Sequence, residues 1–166
     1  MLIRNEEDKD RGAVDELVAA EFDTGAEADF VGRLREGPPP VVSLVAEEEG
    51  DVFGHILFAP VPLEGDPEAK LMGLGSLAVV PEQQGKGIGS ALMREGLERC
   101  RTLGASAVVA LGHAGYYGRF GFVPAAHFGI RFKHVLPDDA FLAMELEPGA
   151  LQGKSGTVNY LAPLRG

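Results

Sequence analysis

The sequence predicts a mixed α/β (α+β) fold, a mostly antiparallel central sheet with flanking helices, and three observations carry that prediction. The run VVSLVAEEEGDVFGHILFAPV, residues 41–61, sets two β-rich segments either side of an acidic turn at Glu48 to Asp51, where Gly50 suits the reversal. From Ile88 to Leu103, apolar residues recur at helical spacing. Ile88, Leu92, Leu97, Cys100 and Leu103 fall on one side, and Arg94, Glu95, Glu98, Arg99 and Arg101 mostly elsewhere. That helix stands between an apolar run at 71–80 and the fully apolar ASAVVAL at 105–111, the pattern of two parallel strands joined by a right-handed crossover.

The remaining elements follow in order. Residues 2–4 (LIR) read as a short strand, and Asp10 to Phe22 place Ala13, Leu17, Val18 and Ala20 at helical spacing. A second short helix is expected over Ala26 to Arg35, ended by GPPP at 37–40 because proline cannot continue the hydrogen-bond ladder. After the hairpin, 60–70 reads as a polar, Pro-containing loop, and Gly104 as the C-terminal cap of the crossover helix. Short strands are expected at 128–132, 141–146 and 157–160. Repeats and low-complexity linkers are absent from the sequence. With 166 residues, 45% of them hydrophobic, the chain fits one domain, 1–166, with a sizeable core.

Composition narrows the function. A net charge of -10 argues against a general nucleic-acid surface, which needs clustered Lys and Arg, so any phosphate site must be local. The acid excess suits either cationic acceptors such as amines or simply a well-solvated surface. The opening MLIRNEEDKD lacks the cationic patch and apolar block of a secretory signal, and no apolar run approaches the roughly 20 residues of a membrane helix; a cytoplasmic protein without membrane contact is expected. Cys100 is the single cysteine. It reads as a buried small side chain before a catalytic thiol, and no cluster has metal-ligand spacing, so no metal is expected.

The stretch VVPEQQGKGIGS, Val79 to Ser90, puts glycines at 85, 87 and 89 between a strand and a helix. Bare backbone there lets N–H groups approach a ligand, and a helix N-terminus carries unpaired N–H groups and partial positive charge, which suits phosphate. Three ligand readings compete. A dinucleotide fingerprint needs a third glycine where Ser90 stands, and a nucleotide P-loop needs a Gly-Lys-Ser/Thr that is missing. The third is a pyrophosphate cradle spaced as Gln84, Gly87, Gly89. A tight turn with no ligand is the bland alternative.

On these residues the sequence resembles the GCN5-related N-acetyltransferases (GNAT), whose signature is Gln or Arg, two residues, Gly, one residue, Gly or Ala, after a strand and opening a helix. The stretch GYYGRFGFVPA, 115–125, is similar to the family's Tyr-x-x-x-Gly-Phe box through Tyr117, Gly121 and Phe122. Within the family, SLAVVPEQQGKGIGSALMREGLERC, the YYGRFGF box and the tail PDDAFLAMELEPGAL look most like the YhbS-like bacterial branch. The resemblance implies that the two parallel strands, near 71–80 and 105–111, splay apart. Acetyl-CoA then pairs its pantetheine arm with Leu77, Ala78 and Val79, and its pyrophosphate is wrapped by Gln84, Gly85, Lys86, Gly87, Ile88, Gly89 and Ser90. Lys86 reads equally as a solvated surface lysine.

Acyl transfer to an amine needs a neutral nucleophile, a held carbonyl, an oxyanion donor and a proton for the leaving thiolate. The resemblance puts the oxyanion donor on backbone N–H near Leu77 to Val79 and the Tyr117 hydroxyl near the CoA sulfur; Tyr116 suits a surface packing role. The base is left open, since the strand at 71–80 carries no acid or histidine. His113, close to Tyr117 in sequence, has a suitable intrinsic pKa but also suits an exposed loop. His55 alternates with Phe53 and Leu57 and reads as a hydrogen-bonded core residue before a base. Glu21, Asp23 or a water chain also remain. His127, His134 and Asp138 read as structural or surface residues. The expected function is acetyl-CoA-dependent N-acetylation of a small-molecule or peptide amine, with a non-catalytic acyl-CoA sensor or interaction module as alternative. Acceptor identity and oligomeric state, a homodimer included, are open.

Overall fold

The computed structural model describes residues 1–21, 32–37, 39–112, 114–132 and 140–158. Strand β1 (Leu2–Asn5) leads through a 3-10 turn at Asp8–Asp10 into helix α1 (Arg11–Glu21), which buries Val14, Leu17 and Val18. Arg4 fastens this entry: its guanidinium donates to Asp10 at 2.7 and 3.0 Å and to Glu47 at 3.1 Å. Those bonds hold the Asp10 carboxyl down at about 2. Of the helix expected at 26–35, residues 32–35 are helical and 26–31 lie outside the described residues.

Strands β2 (Val42–Glu48), β3 (Asp51–Leu63) and β4 (Asp66–Val79) follow. The expected hairpin is present, with Glu48 opposite Asp51. The loop expected at 60–70 is not: β3 runs to Leu63 and β4 starts at Asp66, with only Glu64 and Gly65 turning between them. Pro60, Pro62 and Pro67 gave the loop signal. Yet Val61 and Leu63 are buried while Pro62 between them is exposed, the alternation of a strand.

Helix α2 (Ile88–Thr102) buries Ile88, Leu92, Met93, Leu97 and Cys100. Gly104 caps it at φ +88°, with Gly104 N donating to Arg101 O and Ala105 N to Cys100 O, both at 3.0 Å. Leu103, expected on the buried side, falls past the helix end and is half exposed. Then come β5 (Ala107–Leu111), the short α3 (Ala114–Tyr117), β6 (Val123–Pro124), β7 (Ile130–Phe132), β8 (Phe141–Glu145) and β9 (Gly156–Val158). The strand expected at 128–132 begins only at Ile130, because 125–128 winds into a 3-10 turn; of the one expected at 157–160, 159–160 lie outside the described residues.

The strands pair in the order β1-β2-β3-β4-β5-β8-β6, with β9 joining β3 and β7. Among pairs with a described register, β4 with β5 and β7 with β9 are parallel and the others antiparallel. This is the mixed, mostly antiparallel sheet read from the sequence. The described chain clusters into two compact units, Met1–Ala59 with Gly75–Arg99, and Pro60–Leu74 with Cys100–Tyr160. In the first, Val14 and Val18 of α1 pack on Val45 and Leu57; in the second, β5 and β8 pair along their whole length under a core that includes Val108, Val109 and Leu142.

Candidate active site

In the first unit, β4 delivers the chain through Leu77, Ala78 and Val79 to a 3-10 turn at Pro81–Gln83. Its parallel register with β5 covers Leu71, Met72 and Gly73 opposite Ala107, Val108 and Val109. Among the described residues the register ends there, while β4 runs on from Leu74 to Val79. A strand that outruns its partner offers backbone N–H and C=O groups to an extended ligand.

The loop after β4 is built to present backbone. Val80 N donates to Phe53 O at 2.8 Å, and Gln84 Nε2 donates to Val79 O at 3.0 Å, so both ends of the turn are tied to the strands. Gly85 and Gly87 have φ of +79° and +84°, and a Cβ on either would meet nothing within 4 Å. The first helical bond of α2 is Ala91 N to Gly87 O at 3.0 Å, so the N–H groups of Ile88, Gly89 and Ser90 precede any intrahelical acceptor. The helix start is set close to β3 because Gly54 has no side chain: a Cβ there would crowd Leu92 and Ile88 at 2.9 and 3.2 Å. Gln84 to Gly87 are exposed, and the exposed Lys86 donates from Nζ to Gln83 Oε1 at 3.3 Å. Left-handed glycines, exposed backbone and free helix donors fit the pyrophosphate of a CoA ester. Gly89 is already helical, without a positive φ.

The second unit carries the tyrosine box. Tyr117 closes α3, and its ring lies against Gly112, where any Cβ would collide with it. Gly121, at φ +106°, turns the chain so that buried Phe122 returns edge-on to the Tyr117 ring, centroids 5.8 Å apart. Tyr116 is edge-on to Tyr117 at 5.1 Å, and the Arg119 guanidinium covers its other side at 4.6 Å. Partial burial raises the Tyr116 hydroxyl above its ordinary pKa, the Arg119 charge opposing.

The acetyltransferase (GNAT) family model matches residues 7–122. The chain belongs to this family, and is an N-acetyltransferase by that membership. It is 38% identical over 161 residues, 96% of each chain, to the Escherichia coli (strain K12) protein named uncharacterized N-acetyltransferase YhbS. The crystal structure of Escherichia coli YhbS in complex with CoA matches with a TM-score of 0.90 and 37% identity, covering 96% of this chain and 89% of that one. A GNAT acetyltransferase from Brucella melitensis in complex with acetyl-CoA matches at 0.77 and 35%, covering 97% and 96%.

On β4 of this GNAT protein the acids, Asp66 and Glu68, stand only at its start, and the rest of the strand, from Ala69 to Val79, carries neither acid nor histidine. Of the bases weighed, His113 and Asp23 lie outside the described residues, as do His134 and Asp138, and Glu21 ends α1. His55 is fully buried on β3, its Nε2 2.8 Å from Ser43 Oγ. His127 is exposed. Cys100 is buried, which pushes its thiol up to about 12 and removes it as a nucleophile. Among the described residues no group of His, Cys, Asp or Glu is placed to hold a metal ion, and no helix is long and apolar enough to cross a membrane. Gly54 and Gly112, which position the cradle helix and the tyrosine, carry no signal in a single sequence because their role lies in contacts made across the fold.

Proposed function

We propose that the chain, 1–166 acting as one acyltransferase domain, transfers an acetyl group from acetyl-CoA to a primary amine by direct attack on the thioester. The observation that carries this is the cradle: two left-handed glycines with open space around them, leading into a helix N-terminus at the end of a strand that outruns its partner. Gln84, Gly85, Lys86, Gly87, Ile88, Gly89 and Ser90 hold the pyrophosphate, chiefly through backbone N–H. Leu77, Ala78 and Val79 pair with the pantetheine arm, and a backbone N–H among them serves the developing oxyanion. Tyr117 supplies the hydroxyl that hydrogen-bonds or protonates the departing thiolate, and His113 is a base candidate. The acceptor is a small-molecule or peptide amine, and the setting cytoplasmic.

Thermal denaturation tests the donor assignment. Acetyl-CoA at a hundredfold excess over its Kd stabilises the folded state by about 2.7 kcal/mol. For a chain of this size that is a rise of roughly 5 to 10 °C. CoA and dephospho-CoA should also raise Tm, with NADH and ATP much weaker. No shift with saturating acetyl-CoA would overturn the proposal, and thiol release with an amine panel separates an enzyme from a non-catalytic CoA binder.

A further inference from the structure

Four side chains from four segments of the first unit form one hydrogen-bonded line. Arg35, in the helical residues 32–35, donates from Nε to Glu6 Oε1 at 3.0 Å and from Nη2 to Glu6 Oε2 at 2.8 Å. Ser43 on β2 donates its hydroxyl to Glu6 Oε1 at 2.6 Å, and its oxygen lies 2.8 Å from His55 Nε2 on β3. The Glu6 carboxylate can only accept, so the Ser43 proton points to it and the Ser43 oxygen takes the hydrogen from His55 Nε2. That fixes the neutral ring as the Nε2–H tautomer. Its other nitrogen, Nδ1, is a buried lone pair with no partner among the described residues, on a side chain of zero exposure. A buried acceptor left without a donor is costly and calls for an explanation.

The place of that lone pair supplies one. His55 pairs across the sheet with Val45, and Val45 and Leu57 face α1. A Cβ on Gly75 would touch the Leu57 side chain and one on Gly54 would meet the Ala78 carbonyl, so β4 from Gly75 to Ala78 runs antiparallel alongside β3 from Leu57 back to Gly54. Strand alternation then puts Leu77 on the same face as His55, next to it. Leu77 begins the backbone run assigned above to the thioester.

We propose that His55, Ser43 and Glu6 are the proton-accepting line for the acceptor amine, which passes its proton to His55 Nδ1 through a bridging water. The inference rests on the N-acetyltransferase reading and supplies the base that β4 lacks. As the amine nitrogen bonds to the carbonyl carbon, its proton passes to Nδ1, the Nε2 proton passes to Ser43 Oγ, and the Ser43 proton passes to Glu6. The C–S bond breaks and the thiolate takes one proton from Tyr117 or solvent. After product leaves, the line runs in reverse and returns its proton to water. His55 changes tautomer and need not persist as imidazolium. That matters because burial first, and the Arg35 charge second, lower its pKa to about 3. Among the described residues, the charged groups facing the line are Glu6, Arg35 and, from α1, Asp15, 3.9 Å from Arg35.

Glu6→Gln keeps the shape and, through its one amide oxygen, the bonds from Ser43 and Arg35 Nε, but it loses the Arg35 Nη2 bond and is a far poorer proton acceptor; Ser43→Ala cuts the line, and Ser43→Thr restores the hydroxyl. Turnover is read as thiol release from acetyl-CoA with a polyamine, an aminoglycoside and an amino-acid amide as acceptors, and donor binding as thermal shift with acetyl-CoA. Glu6→Gln and Ser43→Ala should lower kcat by about 10-fold or more with the acetyl-CoA shift unchanged, and Ser43→Thr should recover most of the rate. The wild type should show a curved proton inventory that Ser43→Ala loses. Nitrogen-15 spectra of the His55 ring should show a neutral Nε2–H tautomer from pH 5 to 9, and they decide the matter if the variants fail to fold. An Nδ1–H tautomer, an imidazolium, or variants that bind acetyl-CoA and turn over at the wild-type rate would remove the line and leave the N-acetyltransferase reading standing. A wild type that binds acetyl-CoA and acetylates none of the panel counts against both, whereas one that does not bind acetyl-CoA removes the donor assignment itself.

Discussion

Glycines at the cradle and glycines in the packed interior stand in this chain for opposite reasons. Gly85 and Gly87 have positive φ and empty space where a Cβ would go. Gly96 on α2 and Gly112 after β5 have no positive φ, and the place of their Cβ is taken by an aromatic ring, Phe58 at Gly96 and Tyr117 at Gly112. The interior pair makes room for the protein's own side chains. The cradle pair leaves room that the protein itself does not fill, as expected where a ligand meets backbone. Substitutions at the two kinds should therefore damage different measurements, stability in one case and binding in the other.

The largest effect is expected at Gly96. A branched side chain there must displace Phe58, a fully buried ring at the centre of β3, and Gly96→Val should cost about 3 kcal/mol through overpacking. Chemical denaturation should show a lower midpoint with the slope unchanged, and Tm should fall by roughly 6 to 12 °C. Acetyl-CoA affinity of the folded fraction should stay close to wild type. A variant of unchanged Tm would mean that Phe58 has another rotamer available.

Gly87→Val should reverse that signature. Forcing a branched residue to φ +84° strains the backbone by about 1 kcal/mol; if the loop holds the pyrophosphate as proposed, the side chain would also stand in its place, and acetyl-CoA affinity should fall about 100-fold, read by calorimetry. Gly89→Val should be milder, because Gly89 already has helical geometry and only the added bulk matters. Equal, near-normal binding by both variants would reduce the loop to a turn.

The contrast also marks what a single sequence can carry. The glycine loop that opens α2 was legible because everything that defines it lies within one short stretch, and the crossover helix because its apolar period is local. The tyrosine box was legible as a spacing, though not the reason for it, which is that Gly121 folds Phe122 back onto Tyr117. The strand pair across Glu64 and Gly65 was hidden by Pro60, Pro62 and Pro67, local loop signals that lost to the burial of Val61 and Leu63. Alternation correctly marked His55 as an inward, hydrogen-bonded residue. Its partners at 6, 35 and 43 could not be read, because nothing in their spacing says that four separate segments converge.

Gly112→Ala is expected to act through its neighbour. The added methyl pushes on the Tyr117 ring, and if its hydroxyl serves the leaving thiolate as proposed, displacing it should lower kcat by about 30-fold, since misplacement by an ångström can cost up to about 100-fold. Stability should drop by about 1 kcal/mol from the crowded turn. A variant that loses stability but keeps kcat would separate the packing of Tyr117 from catalysis.

Tyr117→Phe is the smallest change and isolates the hydroxyl. The ring keeps its place against Gly112 and its edge-on contact with Phe122, so folding and acetyl-CoA affinity should hold. If the hydroxyl protonates or hydrogen-bonds the departing sulfur, the lost interaction is strongest in the transition state and kcat should fall with little change in donor binding. General-acid help is typically worth about 100-fold or more, but a thiol of ordinary acidity, pKa about 8.5, is already a fair leaving group, so a fall of about 10-fold is expected. Tyr116→Phe is the control. Its ring is held by Arg119 and Phe120 on the outer side of the box, and loss of its hydroxyl should be nearly silent in thiol release. Equal rates for the wild type and Tyr117→Phe from pH 6 to 9 would leave Tyr117 as a ring that fills the space Gly112 gives up, with positioning by the cradle as the main source of rate.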